Sequence, residues 1–424
     1  MTLAATFLAG AKSRLLPPSI PFRFFASAAA FHILMWAVLA AEPGGVAGFR
    51  GGLGPPLAAV HLLTLGVLTT TAIGASVQLL PVATRRALAA VWPIKLVFWL
   101  TVPGTAALVI AMYAAHTAAL LLAAAVITVG LLLYAAVLAD NLRRARSLPL
   151  VGAYGWAALA ALVLLVGLAL ALAVDYGTGA LPDHGAAALS HLVLGGYGFM
   201  GLLALGFSHV LVPMFALSAA PAKRPAFIGF ALATAAVALG SLGALLGQRA
   251  TLSAAALVGL DAALIHLWLM QRVLASGLRK RLGLSFVLVR AAWLMLPLSV
   301  LVGLAGLHGF AGPNGSTLFG LLLLGGWLLT FLFGVLQRIL PFLASMHVTR
   351  PGGAPPLMSE LASSGLLKVH ATCHGLALAM LALAIMIDAG WLVRVGAVVG
   401  LIGAVAFGWF TADIVRQVAF RRAQ

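Results

Sequence analysis

Charge is scarce in this chain. Asp, Glu, Lys and Arg make up 8% of its 424 residues, and only eight of them are acids. Cysteine occurs once, at Cys373, which excludes an intrachain disulfide and a cysteine-rich metal cluster. The sequence contains no GxxxxGK[ST] phosphate loop, no HExxH and no CxxC, so the nucleotide, zinc-protease and dithiol chemistries tied to those motifs are not expected. No pair of carboxylates shares a span in the way acid–base hydrolysis needs. The first 19 residues hold no long apolar core before a small-residue cleavage site, so no signal peptide is expected.

What fills the chain instead is apolar. Hydrophobic residues make up 63% of it, in many runs of the roughly 20 residues that cross a bilayer. The pattern predicts an all-α integral membrane protein of twelve spans, at about 20–42, 56–82, 91–113, 115–140, 150–174, 187–215, 226–247, 252–272, 284–306, 317–342, 366–388 and 391–414. Pro and Gly clusters at Pro43, Gly54 and Pro351 punctuate the gaps. No soluble domain or long linker interrupts them, so residues 1–424 read as a single polytopic membrane domain.

The net charge of +17 is a topology signal. With the N-terminus inside, 22 of the 25 Lys and Arg residues fall on the inner side, Lys12, Arg146, Arg350, Arg421 and Arg422 among them. Arg50, Arg249 and Arg394 alone fall outside. That asymmetry places both termini in the cytoplasm. It fits anionic lipid head groups and argues against nucleic acid as the partner. Trp92, Trp99, Trp391 and Trp409 read as interface anchors.

The chain also repeats itself. His61 to Pro81, His191 to Pro213 and Leu321 to Pro341 are three versions of one span, with Gly66, Gly196 and Gly326 set 130 residues apart. Each ends in Gly, six residues, then Pro: Gly74/Pro81, Gly206/Pro213 and Gly334/Pro341. In this register the middle copy carries two extra residues between its glycines. The copies fall on the second, sixth and tenth spans. They predict three pseudo-symmetric groups of four, at about 20–140, 150–272 and 284–414. The glycines allow close approach of a neighbour or a flat ligand.

With so few acids, the eleven histidines carry the site chemistry, because polar groups inside spans are costly and face the bundle interior. His61 and His191 open two of the repeat spans at similar depth on the outer side. Neutral imidazoles there suit a metal or a heme iron, with His32 in the first span as a third candidate. A backbone hydrogen bond at the interface is the plainer role. His370 and His374 sit at i, i+4 on one helix face, a half-site for a metal. Cys373 is a soft donor pointing about 100° away. His209 lies about 27 Å below His191 on the same face, where it joins the inner group. Asp261, near the middle of the eighth span, reads as paired, protonated or part of a proton path, with Arg290 a candidate partner.

Twelve spans, an inside N-terminus, three related groups and the outer-side His61 resemble subunit I of the heme–copper oxidase superfamily. The segment Pro21 to Phe25 and the small size resemble the NnrS proteins, and the nitric oxide reductases are similar in style. The resemblance implies a heme b bound by His61, with His191 or His32 as the second ligand and Arg394 on a propionate. Copper and an electron donor such as a cytochrome c are further implied partners, together with oligomer formation and a prokaryotic inner-membrane location. It does not extend to a full oxygen-reducing centre. The seventh span has no histidine, the tenth expected span has none, and AVHLL stands where NnrS proteins carry a WHAHE-type segment. The expectation is a heme b membrane protein in electron transfer or nitric oxide/oxygen redox chemistry; any enzyme activity would be that of an oxidoreductase of this type. The alternative is a membrane carrier or channel for metal or heme.

Overall fold

The computed structural model describes residues 14–145, 148–348 and 356–423. Lys12, Arg146, Arg350 and the Pro-Gly-Gly at Pro351 lie outside the described residues, as do the side chains of Arg421 and Arg422. Twelve helices are long and apolar enough to cross a membrane. They are α1 Ser19–Ala41, α2 Pro55–Thr84, α3 Trp92–Tyr113, α4 Thr117–Arg144, α5 Pro149–Thr178, α6 His184–Ala216, α7 Lys223–Leu245, α8 Arg249–Ser276, α9 Leu284–Leu307, α10 Gly315–Val348, α11 Ser364–Ile387 and α12 Gly390–Ala423. Among the described residues there is no strand. Each expected span is matched by one helix. The apolar surface explains the class: Ile110, Leu122 and Met386 are exposed, and so are Trp92, Trp99, Trp391 and Trp409. Large side chains turned outward along whole helices fit a lipid surround.

The chain falls into two compact units. One holds Ala75–Leu282 and Leu296–Ala311; the other holds Leu16–Gly74, Gly283–Met295 and Gly312–Gln424. In the first, α3, α4, α5 and α6 pack in series, and α7 and α8 follow. In the second, α11, α12, α1 and the start of α2 pack in series, with α10 against α11 and α12. This packing order is offset by two helices from the order of the sequence repeat.

The repeat itself has a physical meaning. Each repeat helix contains a stretch of wider π turns: Leu62–Thr69, Leu194–Gly201 and Leu321–Leu329. Each stretch ends twelve residues before the proline, at Thr69, Gly201 and Leu329. Such insertions are rare and sit mostly inside otherwise α-helical segments. Five residues further on comes the glycine. A Cβ on Gly74 would stand 2.8 Å from Phe24 Cβ in α1, and one on Gly206 2.7 Å from Tyr154 Cβ in α5. On Gly334 it would stand 2.8 Å from the Ser285 carbonyl oxygen in α9. Each glycine is therefore the point where the preceding helix of its pair crosses at near-backbone distance. A second crossing lies eight residues earlier, at Gly66 on Phe31, Gly198 on Ala161 and Gly326 on Met295.

Two readings of the sequence change here. The middle glycine of the set is Gly198, not Gly196, so no residues are extra between the two glycines of that copy. Counted from the prolines, Val193 and not His191 takes the place of His61. Sequence spacing alone chose the wrong glycine because α6 offers three within four residues, Gly195, Gly196 and Gly198. The prolines also do not close the helices. Pro81, Pro213 and Pro341 lie inside them. In the first two copies the chain turns left-handed four residues later, at Arg85 (φ 58°) and Leu217 (φ 54°). The amides of Arg86 and Ser218 then return to the Pro81 and Pro213 carbonyls, as in a Schellman stop. In the third copy α10 continues to Val348, so it does carry a histidine, His347 in its last turn.

Replacing Gly206 with Val should cost about 1–3 kcal/mol through overpacking on Tyr154. Gly167→Ala in α5, where an added Cβ meets nothing within 4 Å, should be neutral or stabilising by up to about 1 kcal/mol. Thermal unfolding of the two variants in detergent compares them directly.

Candidate imidazole sites

His61 ends the first α-helical turns of α2, immediately before the π stretch. It is half-buried, and its Nδ1 lies 3.0 Å from the Leu57 carbonyl oxygen. A carbonyl only accepts, so Nδ1 carries the proton and Nε2 keeps the lone pair. His191 is also half-buried. It belongs to the first unit, whereas His61 belongs to the second. Arg394, in the first turns of α12, is exposed. The glycines beside His61 serve helix crossings, since Phe31 occupies the space over Gly66.

The densest imidazole cluster is in the second unit. His32 of α1 and His370 and His374 of α11 are each at most 3% exposed. The His32 and His370 ring centroids are 6.0 Å apart, and those of His370 and His374 are 5.8 Å apart. All three surround the Phe333 ring of α10, at 4.6, 4.5 and 5.6 Å. Phe407 of α12 closes the group against Phe333 and His370, at 4.8 Å from each.

One nitrogen of each ring is held, and the holder fixes the tautomer. Trp36 Nε1 donates to His32 Nε2 at 2.9 Å; indole only donates, so the neutral His32 ring carries its proton on Nδ1. Trp36 is in turn fixed by Gly400 of α12, where a Cβ would collide with the indole. His370 Nδ1 donates to the Gly403 carbonyl at 3.1 Å, which leaves its lone pair on Nε2. Thr330 Oγ1 donates to the Gly325 carbonyl at 2.8 Å. Its hydrogen being used, it accepts from His374 Nε2 at 2.8 Å, and the His374 lone pair is on Nδ1.

Thr330 can do this because of the π stretch. The wide turn brings the Gly325 carbonyl to the residue five positions on, where it accepts from both the Thr330 amide and its hydroxyl. Thr70 does the same to Leu65 in α2 at 2.9 Å. The remaining nitrogens, His32 Nδ1, His370 Nε2 and His374 Nδ1, are buried without a hydrogen-bond partner among the described residues. Each such group costs about 1–3 kcal/mol unless a ligand or water satisfies it. Among the described residues, no three His, Cys, Asp or Glu side chains stand together as a metal-holding group.

Within its own unit His209 has neighbours that the sequence did not suggest. It belongs to the first unit, and His370 and His374 to the second. Its ring lies 5.5 Å from that of His266 on α8, edge to face, and stacks 5.7 Å from Tyr154 of α5. His266 was visible in the sequence as an inner-side histidine, but nothing in its spacing linked it to His209. Trp36, Thr330 and Phe333 gave a weaker signal still. The one hint was that Thr70 and Thr330 stand at the same distance before their prolines.

The remaining histidines have local structural roles. His116 caps α4 by accepting from the Ala119 amide. His184 bonds Asp175 at 2.7 Å, and His308 bonds Ser253 at 3.0 Å. Cys373 packs where α12 approaches at Gly403. Asp261 and Arg290 are both exposed and lie in different units. Arg416 and Asp413 pair at 2.9 Å on α12.

No protein-family model matches this chain, and no curated protein is similar enough in sequence to match it.

Thr330→Val keeps the shape of the side chain but strands the His374 N–H, while the Gly325 carbonyl keeps its bond from the residue 330 amide. Stability should fall by about 1–3 kcal/mol. Thr64→Val, which removes only a bond to the Val60 carbonyl of its own helix, should shift it by no more than about 0.5 kcal/mol. Denaturant titration of the two variants would separate the effects.

Proposed function

We propose that this is a multi-pass membrane redox protein that holds a b-type heme with His61 as an iron ligand. The observation carrying this reading is the His61 ring. Its Nδ1–H is tied to the Leu57 carbonyl, so the ring is oriented and Nε2 is the lone-pair nitrogen, the form in which histidine ligates iron. Leu57 lies one turn earlier on the same helix, so this orientation needs no other element. In the proposed topology, with both termini in the cytoplasm, His61 lies in the outer half of the membrane and Arg394 on the outer side. The exposed Arg394 guanidinium would pair with a propionate. The three groups of four helices belong to the same proposal.

His32 fits a second axial position poorly. Its Nε2 is committed to Trp36, and the Phe333 ring packs against it at 4.6 Å. His61 is therefore the ligand this reading depends on. A bound heme supplies one-electron chemistry and, where a coordination position is open, binding of a small gas. The Leu57 carbonyl orients the ligand ring. Electron transfer or nitric oxide/oxygen-related redox chemistry is the resulting role, fed by a donor such as a cytochrome c, in a prokaryotic inner membrane.

A second reading, a membrane carrier for metal, is favoured by a separate observation. The buried imidazoles of both units have no part in the heme site.

The purified protein should show a sharp reduced b-type band and about one iron per chain; the expectation of one rests on one axial histidine. His61→Ala should abolish both. An unchanged heme spectrum in that variant would remove the assignment. A colourless wild-type protein that exchanges copper or zinc would favour the carrier.

A further inference from the structure

The pair formed by His209 and His266 is independent of the heme reading. Both side chains are buried, at 5% and 3% exposure. They come from helices far apart in sequence, and α8 packs along the C-terminal part of α6 to bring them together. Their rings meet edge to face with centroids 5.5 Å apart, and Tyr154, itself buried, covers the other side of His209. His209 Nδ1 is buried without a hydrogen-bond partner among the described residues. Two imidazoles thus adjoin in the helix interior, one with an unsatisfied nitrogen. A ligand that accepts lone pairs is the chemical complement of such a pair.

The donor set narrows the choice of ligand. Two imidazoles are too few for zinc, which takes four ligands in structural sites. One turn beyond His266 on the same face of α8 lies Met270, fully buried. A thioether is a soft donor that favours monovalent copper. Imidazole also suits copper, and a low coordination number suits its monovalent state. We infer that His209 and His266, with Met270 as the soft third donor, form a buried site for a single monovalent copper ion between α6 and α8.

The test uses the full-length protein in detergent, loaded anaerobically with cuprous ion and freed of excess by gel filtration. Wild-type protein should retain one copper more per chain than His209→Phe/His266→Phe, which keeps an aromatic ring at both positions. His370→Phe/His374→Phe should retain as much as wild type. Met270→Leu should weaken binding about tenfold in competition with a cuprous chelator, since it removes one ligand of three. X-ray absorption of the wild-type copper should show two imidazole nitrogens and one longer sulfur contact, a readout that does not depend on any variant folding. Equal copper in the wild type and the His209/His266 double variant would overturn the site, as would no copper in the wild type or a copper environment without imidazole. Heme content enters none of these readouts, so a failed heme assignment leaves the copper result intact.

Discussion

In lipid, every backbone N–H and C=O has to find its partner inside the protein. That constraint makes the twelve spans helical and governs their departures from the ideal helix. Where the π stretches of α2 and α10 end, one carbonyl takes both donors of a threonine five residues on: Leu65 accepts from the Thr70 amide and hydroxyl, and Gly325 from those of Thr330. Thr330 is then left as an acceptor and holds His374. The irregular turn, the hydroxyl and the imidazole form one chain of dependence, and removing the hydroxyl strands the imidazole N–H.

Small residues at helix crossings are the second organising feature. Lipid chains are as apolar as leucine, so helices associate through close packing and not through exclusion of water. Gly74, Gly206 and Gly334 each let the neighbouring helix approach to contact distance. Gly403 does the same beside His370 and Cys373, and its carbonyl fixes the His370 tautomer. Packing and site chemistry thus use the same backbone: the approach that glycine permits is also what brings a carbonyl to the ring.

The imidazoles separate by environment. Those at helix ends have partners of ordinary kinds, such as the Ala119 amide for His116 and Asp175 for His184. His32, His370 and His374 have one held nitrogen and one unsatisfied nitrogen each. A held nitrogen that carries the proton, with the lone pair on the other, is the arrangement that ligating histidines share; His370 and His374 have it, whereas the unsatisfied Nδ1 of His32 carries the proton. His209 stands against His266 in the same kind of apolar surround. These are the places where the protein bears the cost of unsatisfied polar groups, and they are where a ligand would return most.

The sequence by itself determined the class. Runs of about 20 apolar residues and punctuating Pro and Gly predict each of the twelve helices, because span length and helical backbone follow from local composition alone. It also showed three related helices, and it marked His61, which orients itself on a carbonyl one turn away. Which glycine in α6 meets α5, and that Val193 replaces His191 in the repeat, depended on the crossing point, which is a property of two helices. The gathering of His32, His370 and His374 around Phe333, and the meeting of His209 with His266, were decided by the tertiary structure only. Those residues lie far apart in the chain, and helix periodicity fixes the face of each without saying which faces meet.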